Sequence, residues 1–136
     1  CDIKSVNLLG NVLARQQAKR AQVFEAILVK EGSITEGAVS NVMVVRGGTV
    51  MTAPEGPRIL SGVTRAVVLE LARKEGLPVQ ERCIAQAEIY GADEVFITGT
   101  TVEVLAVVRV DGTVIKDGCP GPITQRLAAG FTGLVG

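Results

Sequence analysis

The chain has 136 residues, of which 47% are apolar and only 3% aromatic. This length is enough for one domain with a substantial core, and the aliphatic composition is typical of an α/β interior. The 14 basic residues balance the 14 acidic ones, so no overall charge favours nucleic acid or an anionic membrane. Basic patches interleaved with aromatic residues, which nucleic-acid readers use, are missing. No apolar run reaches the roughly 18 residues of a membrane helix, and no signal-peptide pattern opens the chain.

The reactive side chains exclude several kinds of catalysis. The sequence contains no histidine, which rules out Ser-His and Cys-His nucleophiles. Its cysteines, Cys1, Cys83 and Cys119, lie far apart, so we expect no zinc site. An odd number of thiols favours a reducing compartment, and we therefore expect a cytoplasmic protein. Because the chain opens on Cys1 and enters a motif at once, we expect that a preceding segment has been removed.

Hydrophobic periodicity in the first half predicts one helix followed mainly by strands. Apolar positions at helical spacing predict a helix over residues 8–20, beginning at Leu8. The predicted extended segments are 24–29, 34–37, 41–46 and 49–52. The last two should form a hairpin that turns at Gly47-Gly48.

The second half predicts two further helices and a second hairpin. Ser61 is the predicted N-cap of a helix that ends near Gly76 and Pro78. The apolar face of that helix is predicted to contain Val63, Val67, Val68, Leu71 and Ala72. Later elements are a strand at 79–82, a helical turn near 85–90, a strand at 94–98, a hairpin of 102–110 with 113–115, and a helix at 123–131. One compact domain of mixed strands and three helices is expected.

Lys4 is a candidate nucleophile because it lies between apolar residues just before a predicted helix. A lysine held at a partly buried strand end can lose its proton and act as an amine. Taken alone, such a lysine also fits a solvated side chain.

Two further motifs suit a phosphate group. In the segment Leu60-Ser61-Gly62-Val63-Thr64 a loop enters a helix, so the N–H groups of Val63 and Thr64 and the helix dipole favour an anion. In Gly99-Thr100-Thr101 a glycine permits close approach at a strand end, and the hydroxyls can donate. Each motif alone also fits an ordinary capped helix or a polar turn.

Glu36 lies beside Gly37 between two predicted strands. A carboxylate that is partly buried there needs a cationic partner, although a plain turn carboxylate is the alternative. An amine, a buried carboxylate and two phosphate-suited loops are together what a pyridoxal 5′-phosphate site requires.

Several motifs of the chain resemble class IV aminotransferases, the fold-type IV pyridoxal phosphate enzymes, in order and spacing. They are DIKSVNLL at 2–9, TEG at 35–37 with SNV at 40–42, ILSGVTR at 59–65, and ADEVFITGTTVE at 92–103. The segment around Lys4 is most similar to the D-amino acid aminotransferase subgroup. The tail GPITQR at 121–126 is similar to what several subgroups share.

The resemblance implies the large cofactor domain of this fold, a mixed-sheet pseudo-barrel with flanking helices, over residues 1–136. It implies that Lys4 is the Schiff-base lysine and proton shuttle, and that Glu36 pairs with the pyridine nitrogen. Leu60 would pack on the ring. Val63, Thr64, Gly99 and Thr100 would surround the phosphate. The smaller N-terminal domain of family members, which adds an arginine and substrate-carboxylate groups, is expected to be missing.

Transamination between an amino acid, expected to be a D-amino acid, and a 2-oxo acid is the activity that the resemblance implies, with a homodimer as the usual assembly. Branched-chain aminotransferase and aminodeoxychorismate lyase are alternatives within the fold. Residues 38–39 (Ala-Val) depart from the hydroxyl-rich run common in the D-amino acid subgroup. A non-catalytic cofactor-binding or docking module is the alternative of another class.

Overall fold

In the described part of the chain, two mixed β-sheets face each other across an apolar core, and two α-helices cover the outer face of one sheet. The computed structural model describes residues 5–9, 25–30, 32–37, 41–54, 62–99, 103–110 and 113–135. The predicted α/β class with a mixed sheet and flanking helices is confirmed. Both sheets contribute to one enclosed core, as the pseudo-barrel predicts.

The described elements follow one another as eleven strands, two α-helices and one 3₁₀ turn. In chain order they are β1 (Ser5–Leu9), β2 (Glu25–Lys30), β3 (Ser33–Gly37), β4 (Asn41–Arg46), β5 (Thr49–Thr52), α1 (Val63–Lys74), β6 (Val79–Glu81), β7 (Ile84–Ala85), the 3₁₀ helix (Gln86–Gly91), β8 (Glu94–Gly99), β9 (Glu103–Val107), β10 (Arg109–Val110), β11 (Thr113–Val114) and α2 (Pro122–Val135).

The order of strands defines a six-stranded and a five-stranded sheet. The first runs β11-β10-β1-β2-β3-β7 and the second runs β6-β5-β4-β8-β9. β1 is parallel to both β2 and β10, and β5 is parallel to β6, whereas the other described neighbours are antiparallel. The central strands of the five-stranded sheet are β4 and β8, and these two strands carry part of the candidate site.

The five-stranded sheet is buried on both faces, which explains the nearly continuous apolar character of its central strands. Val42 and Val44 of β4 point into the core between the sheets. Their neighbours Met43 and Val45 pack with Phe96 of β8 against the two helices. Side chains alternate between the faces with the period of two that a strand imposes.

The predicted helix over 8–20 is wrong at its start, because Leu8 and Leu9 belong to β1. They pair in parallel register with Ile27 and Leu28 of β2. Pairing with β2 satisfies the backbone there and overrides the local helical spacing. Residues 10–20 lie outside the described part of the chain.

Helix α1 is present, but its start and its buried face differ from the prediction. Gly62 is the N-cap instead of Ser61, which lies outside the described residues. Arg65, Val68, Leu69 and Ala72 are the buried positions, at i, i+3, i+4 and i+7. Val63 precedes Arg65 by two residues, about 200° around the helix, and is therefore 83% exposed.

The end of α1 is as predicted. Gly76 has a φ of +80°, and its N–H donates to the Arg73 carbonyl oxygen at 3.0 Å while Leu77 N–H donates to Ala72 at 2.9 Å. This pair of bonds is the Schellman motif, which favours glycine at the left-handed position. The hairpin at Gly47-Gly48 is also confirmed, with positive φ at both glycines.

The predicted long strand over 102–110 is wrong in its continuity. β9 pairs with β8 in the five-stranded sheet, whereas β10 pairs with β1 and β11 in the other sheet. Val107 and Val108 are both buried at the break, so the alternation of a single strand is interrupted there. The chain changes sheets at Val108, and only the short β10–β11 hairpin of the predicted pair remains.

Glu94, the first residue of β8, caps the N-terminus of α2. Its buried carboxylate accepts bonds from Ile123 N–H at 3.1 Å and from Thr124 N–H and Oγ1 at 2.7 Å each. A Cβ at Gly121 would collide with this carboxylate. These hydrogen bonds join α2 to β8, the strand that ends at Gly99. The Glu94 carboxylate therefore serves as the anion at the positive end of the α2 dipole.

Replacing Glu94 with alanine is expected to lower the free energy of unfolding by about 2 kcal/mol, because buried donors of α2 lose their acceptor. The melting temperature should fall by roughly 6–10 °C in a chain of this size. Circular dichroism on heating measures the change. Glu70→Ala, at an exposed position of α1, is the control, and equal melting temperatures for the two variants would contradict the cap.

Arg82, which directly follows β6, forms an ion pair with Glu88 of the 3₁₀ helix. Arg82 Nη2 lies 2.7 Å from Glu88 Oε1, and Glu88 Oε2 also accepts Ala85 N–H at 2.8 Å. The hydrogen bond from Arg82 and then that from Ala85 lower the pKa of Glu88 from 4.5 to about 2.

The Glu88 pair is expected to make stability depend on pH in the acidic range. A carboxylate with a lowered pKa stabilises the fold above its unfolded pKa and loses that contribution as pH falls from about 4.5 to about 2. Urea unfolding of Glu88→Gln should show a deficit of about 1 kcal/mol at pH 6, because the pair is partly exposed and screened. At pH 2 the deficit should vanish. A deficit independent of pH would contradict this assignment.

Candidate active site

The N-terminus of α1 presents backbone donors without an internal anion. The first helical bond runs from Ala66 N–H to Gly62 O at 3.1 Å, so the N–H groups of Val63 and Thr64 precede the hydrogen-bonded turns. No side chain of the described residues caps this helix, and its first turn contains no acidic residue. The α2 N-terminus differs because Glu94 fills it. The α1 start is therefore the described helix end that suits an external anion.

Gly62 sits directly on the first residue of β4. A Cβ at position 62 would collide with Asn41 Oδ1, so a larger residue there would displace the Asn41 side chain. Asn41 is buried and pairs in register with Thr98 of β8. Gly99, the last residue of β8, follows Thr98 at once. The register thus brings the start of α1 and the end of β8, the two phosphate-suited motifs, to neighbouring positions.

Thr98 carries a polar atom that the described structure leaves unsatisfied. Its hydroxyl is fully buried and has no hydrogen-bond partner among the described residues. The residue lies opposite Asn41, beside the place where Gly62 approaches the sheet. A buried hydroxyl without a partner is uncommon in folded proteins and marks this corner of the sheet as polar.

Arg65 ties the first turn of α1 to the neighbouring strands. The side chain is 2% exposed, and Nη2 donates to Ala53 O and to Glu81 Oε1 at 2.9 Å each. Ala53 follows β5 and Glu81 ends β6. The helix start is thereby held at a second point, in addition to the contact of Gly62 with Asn41.

Glu36 belongs to the same sheet as β1. β1 runs parallel to β2, and β2 runs antiparallel to β3. Ile27 of β2 pairs with Leu8 on one side and with Gly37 on the other, so the end of β3 lies level with Leu8. Glu36 is the penultimate residue of β3, and Lys4 directly precedes β1 in the sequence.

Several predicted site residues lie outside the described part of the chain, namely Lys4, Leu60 and Thr100. Of the others, Glu36 is placed by its backbone in β3, Val63 and Thr64 open α1, and Gly99 closes β8. The roles assigned to all seven remain predictions. Sequence reasoning missed Asn41, Arg65 and Thr98; the signal for each was a polar residue inside an otherwise apolar strand or helix face.

The described residues contain no cluster of three or more cysteines or carboxylates that could bind a metal ion. None of the described helices combines the length and apolarity that crossing a lipid bilayer requires.

Comparison with known proteins defines the class. The family model for amino-transferase class IV matches residues 1–110, and the chain belongs to this family. The D-alanine aminotransferase of Bacillus licheniformis is 47% identical over 127 residues, which cover 93% of this chain and 45% of that protein. The D-alanine aminotransferase of Staphylococcus haemolyticus is 42% identical over 131 residues, covering 96% and 46%. The chain spans about half the length of these curated relatives.

Solved structures agree with this assignment. The branched-chain amino acid aminotransferase of Escherichia coli superimposes with a TM-score of 0.88 at 29% identity, covering 96% of this chain and 52% of that one. The branched-chain amino acid aminotransferase of T.th., solved with pyridoxamine 5′-phosphate, gives a TM-score of 0.90 at 29% identity, covering 97% and 51%. The predicted class IV aminotransferase fold is therefore confirmed.

Proposed function

We propose that this chain is the cofactor-binding domain, residues 1–136, of a pyridoxal 5′-phosphate-dependent aminotransferase that exchanges an amino group between a D-amino acid and a 2-oxo acid. The observation that carries the proposal is the corner where the start of α1, to which no described side chain supplies a cap, meets the end of β8. Family membership supports the reaction.

The α1 start fits the phosphate group of this cofactor. Phosphate needs several donors at short range and a positive local field, and a helix N-terminus provides both. Val63 and Thr64 contribute N–H groups, and Thr64 adds a hydroxyl. Gly62 leaves no side chain in the way, since its own Cβ position is taken by Asn41. Gly99 permits close approach from the strand end, and Thr100 adds a further hydroxyl.

The bound cofactor supplies an electron sink that stabilises negative charge at the substrate Cα. Lys4 would hold the cofactor through its amine and would carry the proton that leaves the substrate Cα. Glu36 would accept a hydrogen bond from the pyridine nitrogen and keep that nitrogen protonated. Leu60 would pack on the ring and exclude water from one face.

The six-stranded sheet contains both the strand that follows Lys4 in the sequence and the strand that contains Glu36. Lys4 directly precedes β1, and Glu36 is the penultimate residue of β3. Only β2 lies between these two strands. This common sheet supports the assignment of both residues to one cofactor.

Preference for a D-amino acid, with D-alanine as the first substrate to test, is supported by the names of the curated relatives at 40–47% identity. The solved structures named branched-chain amino acid aminotransferases are less similar in sequence, at about 30%, and make branched-chain L-amino acids the second candidate. By analogy with the family, we propose a cytoplasmic homodimer.

The test is binding and turnover with the intact protein. Adding pyridoxal 5′-phosphate should produce the visible absorbance of a Schiff base, and D-alanine with 2-oxoglutarate should give pyruvate. L-leucine and aminodeoxychorismate are the matched alternative substrates. Faster turnover of L-leucine would replace the D-amino acid by the second candidate, elimination of pyruvate from aminodeoxychorismate would favour a lyase, and absence of the absorbance band would favour a non-catalytic module.

A further inference from the structure

Arg65 has a location that helix electrostatics disfavours. It is the third residue of α1, where the positive end of the helix dipole repels a cation. It is also 2% exposed, and burial of a charge costs free energy unless partners compensate. Glu81 provides that compensation with a contact of 2.9 Å to Nη2. An apolar side chain of similar size would fill the same space with less cost, so packing alone does not account for an arginine.

The geometry of the contacts identifies what the arginine does. One nitrogen, Nη2, donates both to Ala53 O and to Glu81 Oε1 at 2.9 Å. These acceptors belong to adjacent, parallel chain segments, since β5 pairs with β6. The Arg65 side chain therefore fixes the first turn of α1 relative to two neighbouring chain segments at once. Arg65 directly follows Thr64, so this restraint lies next to the proposed phosphate-binding residues.

We infer that Arg65 is a positioning residue of the phosphate site. Acting with the contact between Gly62 and Asn41, it keeps the N–H groups of Val63 and Thr64 aimed at the phosphate while making no contact with the phosphate itself. This inference rests on the proposed function. It also assigns a role to Glu81, whose carboxylate compensates the charge of the buried Arg65 guanidinium. If the Arg65–Glu81 ion pair only stabilised the fold, it would not favour binding of the phosphate ester over ligands that lack the phosphate.

Arg73 provides the matched control. It lies on the same helix and approaches the same carboxylate, with Nη2 at 3.5 Å from Glu81 Oε2, but it is 55% exposed and belongs to the last turn. Removing it leaves the first turn and its bonds to Ala53 and Glu81 in place. Arg73→Met should therefore leave the phosphate site unaltered.

The experiment compares the dissociation constants of pyridoxal 5′-phosphate and of pyridoxal, which lacks the phosphate, in the intact protein. Arg65→Met is expected to weaken binding of the phosphate ester by about 10–100-fold, as small displacements of a binding group do, and that of pyridoxal by less than about threefold. Arg65→Lys keeps the charge but replaces the planar guanidinium with a single ammonium on a different stem, and should give an intermediate loss.

Glu81→Ala serves if Arg65→Met does not fold, because Glu81 is 38% exposed and its loss leaves no large cavity. It should also weaken the phosphate ester selectively. Equal losses for both ligands in the Arg65 or Glu81 variants, or a loss in Arg73→Met as large as in Arg65→Met, would overturn the inference. A wild-type protein without preference for the phosphate ester would instead overturn the proposed phosphate site, so the two failures are distinguishable.

Discussion

Lys4→Ala is expected to lower the rate of transamination by about 10³-fold or more, since the variant loses both the covalent attachment of the cofactor and the proton shuttle. The Schiff-base absorbance should be lost because the lysine amine is missing. Noncovalent binding of the cofactor should persist, because the phosphate site is intact. Single-turnover absorbance with D-alanine measures the rate, and equilibrium dialysis measures the retained binding.

Two controls separate the chemical role of Lys4 from a general effect of removing a lysine. Lys74→Ala, in the exposed last turn of α1, should leave the rate unchanged. A small primary amine added to the Lys4→Ala variant should restore part of the rate by acting as an external base. Borohydride reduction followed by peptide mapping should place the pyridoxyl group on Lys4, and an adduct on another lysine would reject the assignment.

The parts of the fold that could be predicted are those governed by local backbone geometry. Gly47 and Gly48 both adopt positive φ, which a two-residue hairpin demands, and the dipeptide alone indicates such a turn. Gly76 ends α1 for a similar reason. Local sequence also predicts that a helix begins and a strand ends at the two phosphate-suited motifs, whereas phosphate binding there stays a prediction.

The parts that could not be predicted depend on contacts between distant segments. Arg65 has its acceptors at Ala53 and Glu81, 12 and 16 residues away, and only the pairing of β5 with β6 brings them together. Glu94 caps a helix that begins almost 30 residues later. Leu8 lies in β1 because β2 is available as a neighbour. The local spacing of apolar residues contains no information about these contacts. Where local spacing and long-range pairing disagree, as at Leu8, the pairing determines the structure.

The proximity of the two phosphate-suited motifs combines local and long-range information. Their chemistry suggests one shared site, whereas the register of the strands decides whether they become neighbours. Two phosphate-suited motifs almost 40 residues apart in the chain become neighbours through Asn41, which contacts Gly62 on one side and pairs with Thr98 on the other. A shift of one residue between β4 and β8 would turn Asn41 and Thr98 to opposite faces. The register thus joins sequence motifs into one corner.

Glu36→Gln is expected to slow abstraction of the Cα proton by about 10²–10³-fold, because a neutral amide no longer keeps the pyridine nitrogen protonated and the electron sink is weakened. Binding of the cofactor should change little, since the phosphate site and Lys4 are both intact. Stopped-flow absorbance with D-alanine measures the step. With D-alanine deuterated at Cα, the kinetic isotope effect on turnover should increase, because proton abstraction becomes more fully rate-limiting.

Glu70→Gln is the matched control, because it makes the same chemical change at an exposed position on α1, and it should retain the wild-type rate. Glu36→Asp should recover part of the lost rate, since a shorter carboxylate still carries the charge that the pyridinium requires. A Glu36→Gln variant with a rate within about threefold of wild type would remove Glu36 from the mechanism. If Glu36→Gln instead lost the cofactor altogether, Glu36 would be assigned to cofactor binding instead of proton transfer.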